Sequence, residues 1–319
     1  IEVSPVAMQG SAVAYLASDA RHPIHPVIIS GQRIEDIQGE AWPDAFPANQ
    51  LVVPQSVTLP LRAGQTAHGQ LFLPVDDGKR HPAVIFMHGG PIRQMLAGWH
   101  YMDYYSNAYA MNQYLANHGY VVLALNYRAG IGYGFDFREA EHYGATGASE
   151  YNDLLSAAEF LRSRPDVEPA KVGLWGGSYG GYMATMLAGC HGEKFKAICS
   201  ERAVNNMLSE EWSSDIGTVF RVEHGPNHLD GEEDYKRMSP IRHVRNINVP
   251  FLIIHSEDDL RCPISQAEEL FVAMRLLGKD VTFYRFPGET HELSRSGSPV
   301  HRVQRAEIIL DFFAKHLSA

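Results

Sequence analysis

The sequence predicts an α/β fold with a mostly parallel central sheet and helices on both faces. Three observations predict it. From residue 82 onward, short β-branched apolar runs alternate with longer stretches whose apolar residues recur at three- and four-residue spacing, the mark of successive βαβ units. The short runs are nearly continuous rather than alternating, which suits strands covered on both faces. The chain has 319 residues, 45% of them apolar, enough to fill the core such a sheet needs.

The elements follow in chain order. Residues 1–47 are broken by Pro5, Pro23, Pro26, Pro43 and Pro47 and read as a separate leading segment with only short strand-like pieces such as 13–16. Residues 52–73 carry two short alternating runs around Ala63-Gly64, a hairpin at the edge of the sheet. Strands are expected at 83–87, 120–125, 172–175, 195–199, 251–254 and 281–284. Helices are expected near 101–117, 150–163, 179–189, 264–277 and 301–317. The last carries Val303, Ile308, Ile309, Phe312, Phe313 and Leu317 on a stripe suited to docking on a sheet. The division is therefore a leading segment, 1–47, followed by one α/β domain, 48–319. Tyr101, Tyr104, Tyr105, Tyr109 and Tyr114 fall at helical spacing and read as core packing rather than pocket lining.

Charge and cysteine content narrow the class. Twenty-seven Lys and Arg face 37 Asp and Glu, a net charge of −10 with no basic stripe, which argues against nucleic acid and against an anionic membrane surface as partners. Cys190, Cys199 and Cys262 are too few for a disulfide framework or a zinc site and read as small core residues. No apolar run approaches the roughly 20 residues of a spanning helix, and no charged-then-apolar leader opens the chain. The first residue is Ile1 rather than Met, so the expectation is a processed or excised piece; solubility is expected from the missing apolar span, and a cytoplasmic location from the cysteine usage alone.

The chemistry centres on Gly176-Gly-Ser178-Tyr-Gly180, a G-x-S-x-G run placed after an expected strand and before an expected helix. This is the context of a nucleophile elbow, in which a sharp strand-to-helix turn lifts a serine hydroxyl above the sheet of an α/β-hydrolase fold. The glycines give room where strand and helix approach closely, and the helix N-terminus favours developing negative charge. A plain Gly-rich turn or a phosphate loop is the bland alternative. A serine needs a histidine to take its proton and a carboxylate to orient that histidine, supplied in this fold in the order Ser, acid, His. His291 suits the role because it lies in a loop after the last strand. His301 and His316 sit on a helix expected to face solvent, and His255 closes a strand and reads as structural. Among Glu257, Asp258 and Asp259, spacing alone does not choose. The oxyanion donors are expected from the Tyr179 amide and from the loop His88-Gly-Gly90-Pro91 after an earlier strand.

These residues resemble the prolyl oligopeptidase family of serine peptidases over roughly residues 50–319. Trp175-Gly-Gly-Ser178-Tyr-Gly-Gly-Tyr182 resembles its elbow, His88-Gly-Gly-Pro91 its oxyanion loop, and Asn126-Tyr-Arg-Ala-Gly-Ile-Gly-Tyr-Gly134 a further stretch of the family. Ser214-Asp-Ile-Gly217 and His291-Glu-Leu-Ser-Arg-Ser-Gly297 are similar to its acylaminoacyl-peptidase-like branch. The resemblance lays the family's aspartate loop onto 255–263. It thereby implies a triad of Ser178, Asp259 and His291, oxyanion amides from Gly90 and Tyr179, and an Arg261 that holds a substrate carbonyl. Ser256 and Cys262 depart from that loop's usual Gly and Val, and Cys262 lies close enough to the triad to invite thiol reagents. The resemblance also makes residues 1–47 a remnant of an N-terminal β-propeller, on Val13-Ala-Tyr-Leu-Ala-Ser-Asp19.

Trp212 and Phe220 lie between the elbow and the aspartate loop and are assigned to the walls of the pocket for the substrate side chain. No cofactor and no metal are expected. Gly130-Ile-Gly-Tyr-Gly134 misplaces the third glycine of a dinucleotide loop, and no metal-ligand motif occurs. The expected function is a serine peptidase of acylaminoacyl, dipeptidyl or oligopeptidase type acting on short peptide substrates with an apolar residue at the cleaved position. The rivals are a carboxylesterase of the same fold and an inert fragment or binding domain. A homo-oligomer is left open.

Overall fold

The computed structural model describes residues 1–37, 43–61, 64–140, 149–219 and 228–317. Twelve strands are found among them. In the leading segment these are β1 (Glu2–Ala7), β2 (Ala12–Ala17), β3 (His25–Ser30) and β4 (Arg33–Asp36). The remainder are β5 (Gln55–Pro60), β6 (Thr66–Phe72), β7 (His81–Met87), β8 (Val121–Asn126), β9 (Val167–Gly177), β10 (Ala197–Glu201), β11 (Phe251–Ser256) and β12 (Val281–Phe286).

The last eight form one sheet in the order β12-β11-β10-β9-β7-β8-β6-β5. The β5–β6 hairpin at one edge is antiparallel, as is the β6–β8 pair, and every other pairing is parallel. This is the α/β-hydrolase fold. Parallel neighbours need long crossovers, and helices supply them on both faces. The helices that matter below are α1 (Asp103–Asn117), α2 (Phe135–Arg138), α3 (Ser149–Ser163), α4 (Tyr179–His191), α5 (Met207–Ser213), α6 (His228–Met238), α7 (Ser265–Leu276), α8 (Leu293–Ser296) and α9 (Pro299–Leu317).

Strand periodicity splits the core into two layers. Alternate residues of one strand point to opposite faces. Ile85 and Met87 of β7 join Leu154, Leu161, Met183, Leu187 and Leu270 beneath α3, α4 and α7. Val84 and Phe86 join Tyr109, Leu115, Trp175, Ile309 and Phe313 beneath α1 and α9. With apolar contacts demanded on both sides, the central strands β7 and β8 read as unbroken apolar runs over 83–87 and 121–125.

Three expectations need correction. Residues 2–36 form a four-stranded antiparallel meander in the order β1-β2-β3-β4 rather than scattered pieces. Pro5 is tolerated because it falls in the irregular stretch of edge strand β1 between Val3 and Val6, where the register shifts. This meander is tied to the following domain. Ser18 Oγ donates to the Trp99 carbonyl at 2.7 Å, and Tyr109 Oη donates to that of Ala20 at 2.7 Å. Cys190 is exposed near the end of α4, whereas Cys199 and Cys262 are buried. Finally, β10 runs two residues past its expected end, to Glu201, which sets Arg202 at the carboxyl edge of the sheet. No helix among the described residues is long and apolar enough to cross a membrane.

Candidate active site

The carboxyl ends of β7, β9, β10, β11 and β12 face one pocket, the position at which open parallel sheets gather their sites. β9 ends at Gly177 and α4 begins at Tyr179, leaving Ser178 between them with φ +59° and ψ −121°. A non-glycine residue there carries backbone strain of about 1–3 kcal/mol. The surroundings fix it. The Ser178 amide donates to the Glu201 carbonyl at 3.0 Å, and the Tyr182 amide closes the first helical turn onto the Ser178 carbonyl at 2.9 Å. A Cβ on Gly180 would collide with the Met87 carbonyl oxygen, and one on Gly176 would stand 2.7 Å from the Gly180 backbone. The elbow therefore depends on glycine for close approach.

Asp259 sits in the loop after β11 and is buried. Its Oδ1 accepts from the Arg261 and Cys262 amides, both at 2.9 Å, while Oδ2 lies 2.7 Å from His291 Nδ1. Burial alone would raise this carboxyl, but the His291 hydrogen bond and the adjacent imidazoles outweigh it and hold the group below its ordinary range. Burial lowers the His291 imidazole to about 4, with Arg202 adding to the effect and the Asp259 hydrogen bond opposing it. At neutral pH His291 is therefore uncharged, and Asp259, as an acceptor at Nδ1, leaves Nε2 as the basic nitrogen. Glu257 and Asp258 are exposed, and Glu257 is paired with Arg285 at 3.0 Å.

Ser178, Tyr179, Gly89, Gly90, Arg261 and His291 line the same pocket of about 170 Å³. Gly90 holds φ +121°, a conformation that favours glycine. A Cβ on Gly89 would come 2.8 Å from the Gly177 carbonyl oxygen and 3.1 Å from Ser178 Cβ, so the loop after β7 runs hard against the elbow. Tyr105 Oη secures it by donating to the Gly89 carbonyl at 3.1 Å, and Tyr127 Oη by donating to that of His88 at 2.6 Å. Arg261 Nε is 2.6 Å from Asp215 Oδ1, and Ser214 Oγ donates to the Arg261 carbonyl at 2.6 Å. The 214–217 stretch thus clamps the aspartate loop.

Other expectations fall differently. Trp212 is 58% exposed and lies off the pocket, because α5 turns its other face inward. Val204, Met207, Glu210 and Ile216 supply that wall. Phe220 lies outside the described residues. Tyr104 and Tyr105, read as core, are buried and also border the pocket. Helical spacing does not separate the two roles when a helix end overhangs a site. His301 does not simply face solvent: its Nδ1 is 2.7 Å from Glu289 Oε1, which also accepts from the Ser298 amide at 2.9 Å and braces the loop carrying His291. His255 is buried with Nε2 2.7 Å from the Cys262 carbonyl oxygen, a structural contact. Cys262 borders the pocket, yet burial pushes its thiol well above the ordinary range, so it is a protonated and poor nucleophile.

Arg202 and Arg295 were given no role in the sequence reading. Arg202 is buried with φ +37°. It stands over the Tyr104 ring at 4.4 Å and donates to Ser294 Oγ at 3.1 Å. Arg295 approaches the same ring at 5.6 Å. Arg202 directly follows a buried strand, a signal that a correctly placed end of β10 would have supplied.

Comparison with known proteins places this arrangement. The model of the prolyl oligopeptidase family matches residues 106–319. The chain is 35% identical to an uncharacterized peptidase, YuxL, of Bacillus subtilis over 274 residues, which is 83% of this chain and 39% of the relative. It is 31% identical to an acylamino-acid-releasing enzyme of Arabidopsis thaliana over 69% of this chain and 28% of that protein. The solved acylaminoacyl peptidase of Pyrococcus horikoshii superposes with a TM-score of 0.86 at 27% identity, over 99% of this chain and 49% of the other. The chain thus spans half or less of the length of the proteins it matches, and it belongs to the prolyl oligopeptidase family.

Proposed function

We propose that the chain is a serine peptidase acting on short peptides, of acylaminoacyl or dipeptidyl type. The observation that carries this reading is the 2.7 Å contact between Asp259 Oδ2 and His291 Nδ1, in a pocket that His291 shares with Ser178 on its strained elbow. Family membership supports it.

In the proposed reaction His291 Nε2 takes the Ser178 proton as Oγ attacks the substrate carbonyl. Asp259 holds the imidazole in the required tautomer and stabilises its cationic form. The Tyr179 and Gly90 amides receive the oxyanion. His291 then returns the proton to the leaving amine, and the acyl group stays on Ser178. Water, deprotonated by His291, attacks the ester, and the acid product leaves as Ser178 recovers its proton. The lowered imidazole favours this sequence because the base is free at neutral pH. Arg261, held by Asp215, is the proposed donor to a substrate carbonyl. Residues 1–47 are proposed as the end of a larger preceding domain.

The test is hydrolysis of an acyl-aminoacyl anilide, an aminoacyl anilide and a p-nitrophenyl ester. Anilide turnover that disappears in Ser178→Ala is expected. Ester turnover with anilide rates equal to buffer would move the assignment to a carboxylesterase.

A further inference from the structure

The mechanism leaves one buried ionisable group in the pocket without a role. Glu210 of α5 has no exposed surface and lines the pocket that contains Ser178. Neither of its carboxyl oxygens meets a donor in good hydrogen-bond geometry, although the Ser214 hydroxyl and the Cys262 thiol lie close enough to favour its charged form. Ser214 stands nearby but gives its hydroxyl proton to the Arg261 carbonyl, and the Cys262 thiol is at best a weak donor. Buried carboxyl oxygens without partners carry a desolvation penalty, and one on a pocket wall is placed to meet a partner that enters the pocket.

Four arginines line the pocket, and each has another partner. Arg93 donates to the Ile92 carbonyl at 2.6 Å. Arg261 is paired with Asp215 at 2.6 Å. Arg202 lies over Tyr104 and bonds Ser294, and Arg295 is paired with Glu292. Val204, Met207 and Ile216, from the same stretch of chain, line the pocket with Glu210, as do Tyr179 and Tyr182. An apolar sleeve with one carboxyl group on its wall fits a side chain that has an aliphatic stem and a donor-bearing tip.

We propose that Glu210 is a specificity-determining residue that receives the cationic tip of a lysine or arginine on the acyl side of the cleaved bond. The proposal rests on the acyl-transfer reading of the same pocket and names its substrate class. It replaces the expectation of an apolar residue there: the apolar walls hold the stem, and Glu210 adds a demand on the tip. Burial, with Asp259 beside it, pushes the Glu210 carboxyl up to about 8, so the empty pocket holds it neutral. An arriving ammonium or guanidinium draws off that proton to solvent and leaves a buried ion pair.

The test compares thiobenzyl esters of N-acetyl-lysine, N-acetyl-glutamine and N-acetyl-leucine on the whole chain. Thioester hydrolysis needs acyl transfer but no amide cleavage, so the side-chain preference is read even where the anilides of the peptidase test fail. The lysine ester is expected to exceed the leucine ester at least about tenfold in kcat/KM, because a pocket built to pair a polar tip rejects the analogue that lacks one. Glu210→Gln should lower the lysine-to-leucine ratio of kcat/KM by about tenfold or more. A wild-type protein that prefers leucine or glutamine overturns the proposal without need of any variant. So does a Glu210→Gln protein that loses all three rates in proportion, since that is the mark of a structural role.

Discussion

Two regions meet at this pocket and are built on different principles. The elbow and the loops after β11 and β12 hold their side chains with backbone: Ser178 through the Glu201 carbonyl, Asp259 through the Arg261 and Cys262 amides. The 202–217 segment holds its residues through side chains, with Arg261 on Asp215 and Arg202 stacked on Tyr104, and it leaves Glu210 unpaired. Backbone anchoring demands fixed residue types at fixed spacing, so the first region is tied to one chemistry. Side-chain anchoring tolerates exchange, so the second is where substitutions should alter the proposed selectivity.

Breaking the first region should give the largest effects. Asp259→Asn keeps the shape of the side chain but offers His291 an amide in place of the carboxylate, and kcat should fall by about 10⁴-fold. The measurement is steady-state kinetics on whichever ester or anilide is turned over best, and a fall below tenfold would separate Asp259 from the reaction. Next comes the platform beneath the loops. Phe313 is fully buried against Trp175 and its neighbours beneath α9, and Phe313→Ala should cost about 3–5 kcal/mol in urea or thermal unfolding.

In the second region effects should be smaller and confined to binding. Asp215→Asn frees Arg261 from its ion pair and should raise KM by up to about tenfold with kcat changed less. Equal loss in kcat and kcat/KM would instead assign the pair to the transition state. Trp212→Ala, on an exposed side chain, should change kcat/KM by less than about twofold.

The sequence was most legible where chemistry fixes the backbone. Ser178 was marked by glycines that the packing requires, and the sheet by apolar runs that burial on two faces requires. The choice among Glu257, Asp258 and Asp259 was not open to spacing, because neighbours in one loop differ only in the direction the turn sends them. Asp259 points inward to His291, while Glu257 reaches Arg285 on the surface. Trp212 was misplaced for a related reason: it was assigned from its position between the elbow and the aspartate loop, whereas the rotation of α5 brings Met207 and Glu210 to the pocket lining instead. The leading meander was hidden by prolines that a bulge and strand ends accommodate.

The pH response separates the two regions further. His291 is lowered to about 4 from an ordinary value near 6.5, and His88 is likewise lowered to about 4 by burial. A general base is active when neutral, so the acid limb of kcat/KM should fall well below pH 6.5, toward pH 5 or lower. The same groups bind a proton more readily unfolded than folded. Their stabilising contribution is complete above about pH 6.5 and is lost as pH falls toward 4, so unfolding free energy should rise with pH across that window.

The central claim is that Ser178, made reactive by His291 and Asp259, performs acyl transfer. Its most direct test is labelling of the folded chain with a fluorophosphonate, read by intact mass and by peptide mapping. One adduct on Ser178 is expected, absent in Ser178→Ala and slowed by orders of magnitude in Asp259→Asn. Folded protein that stays unlabelled, or that labels at the same rate in Asp259→Asn, would contradict the account.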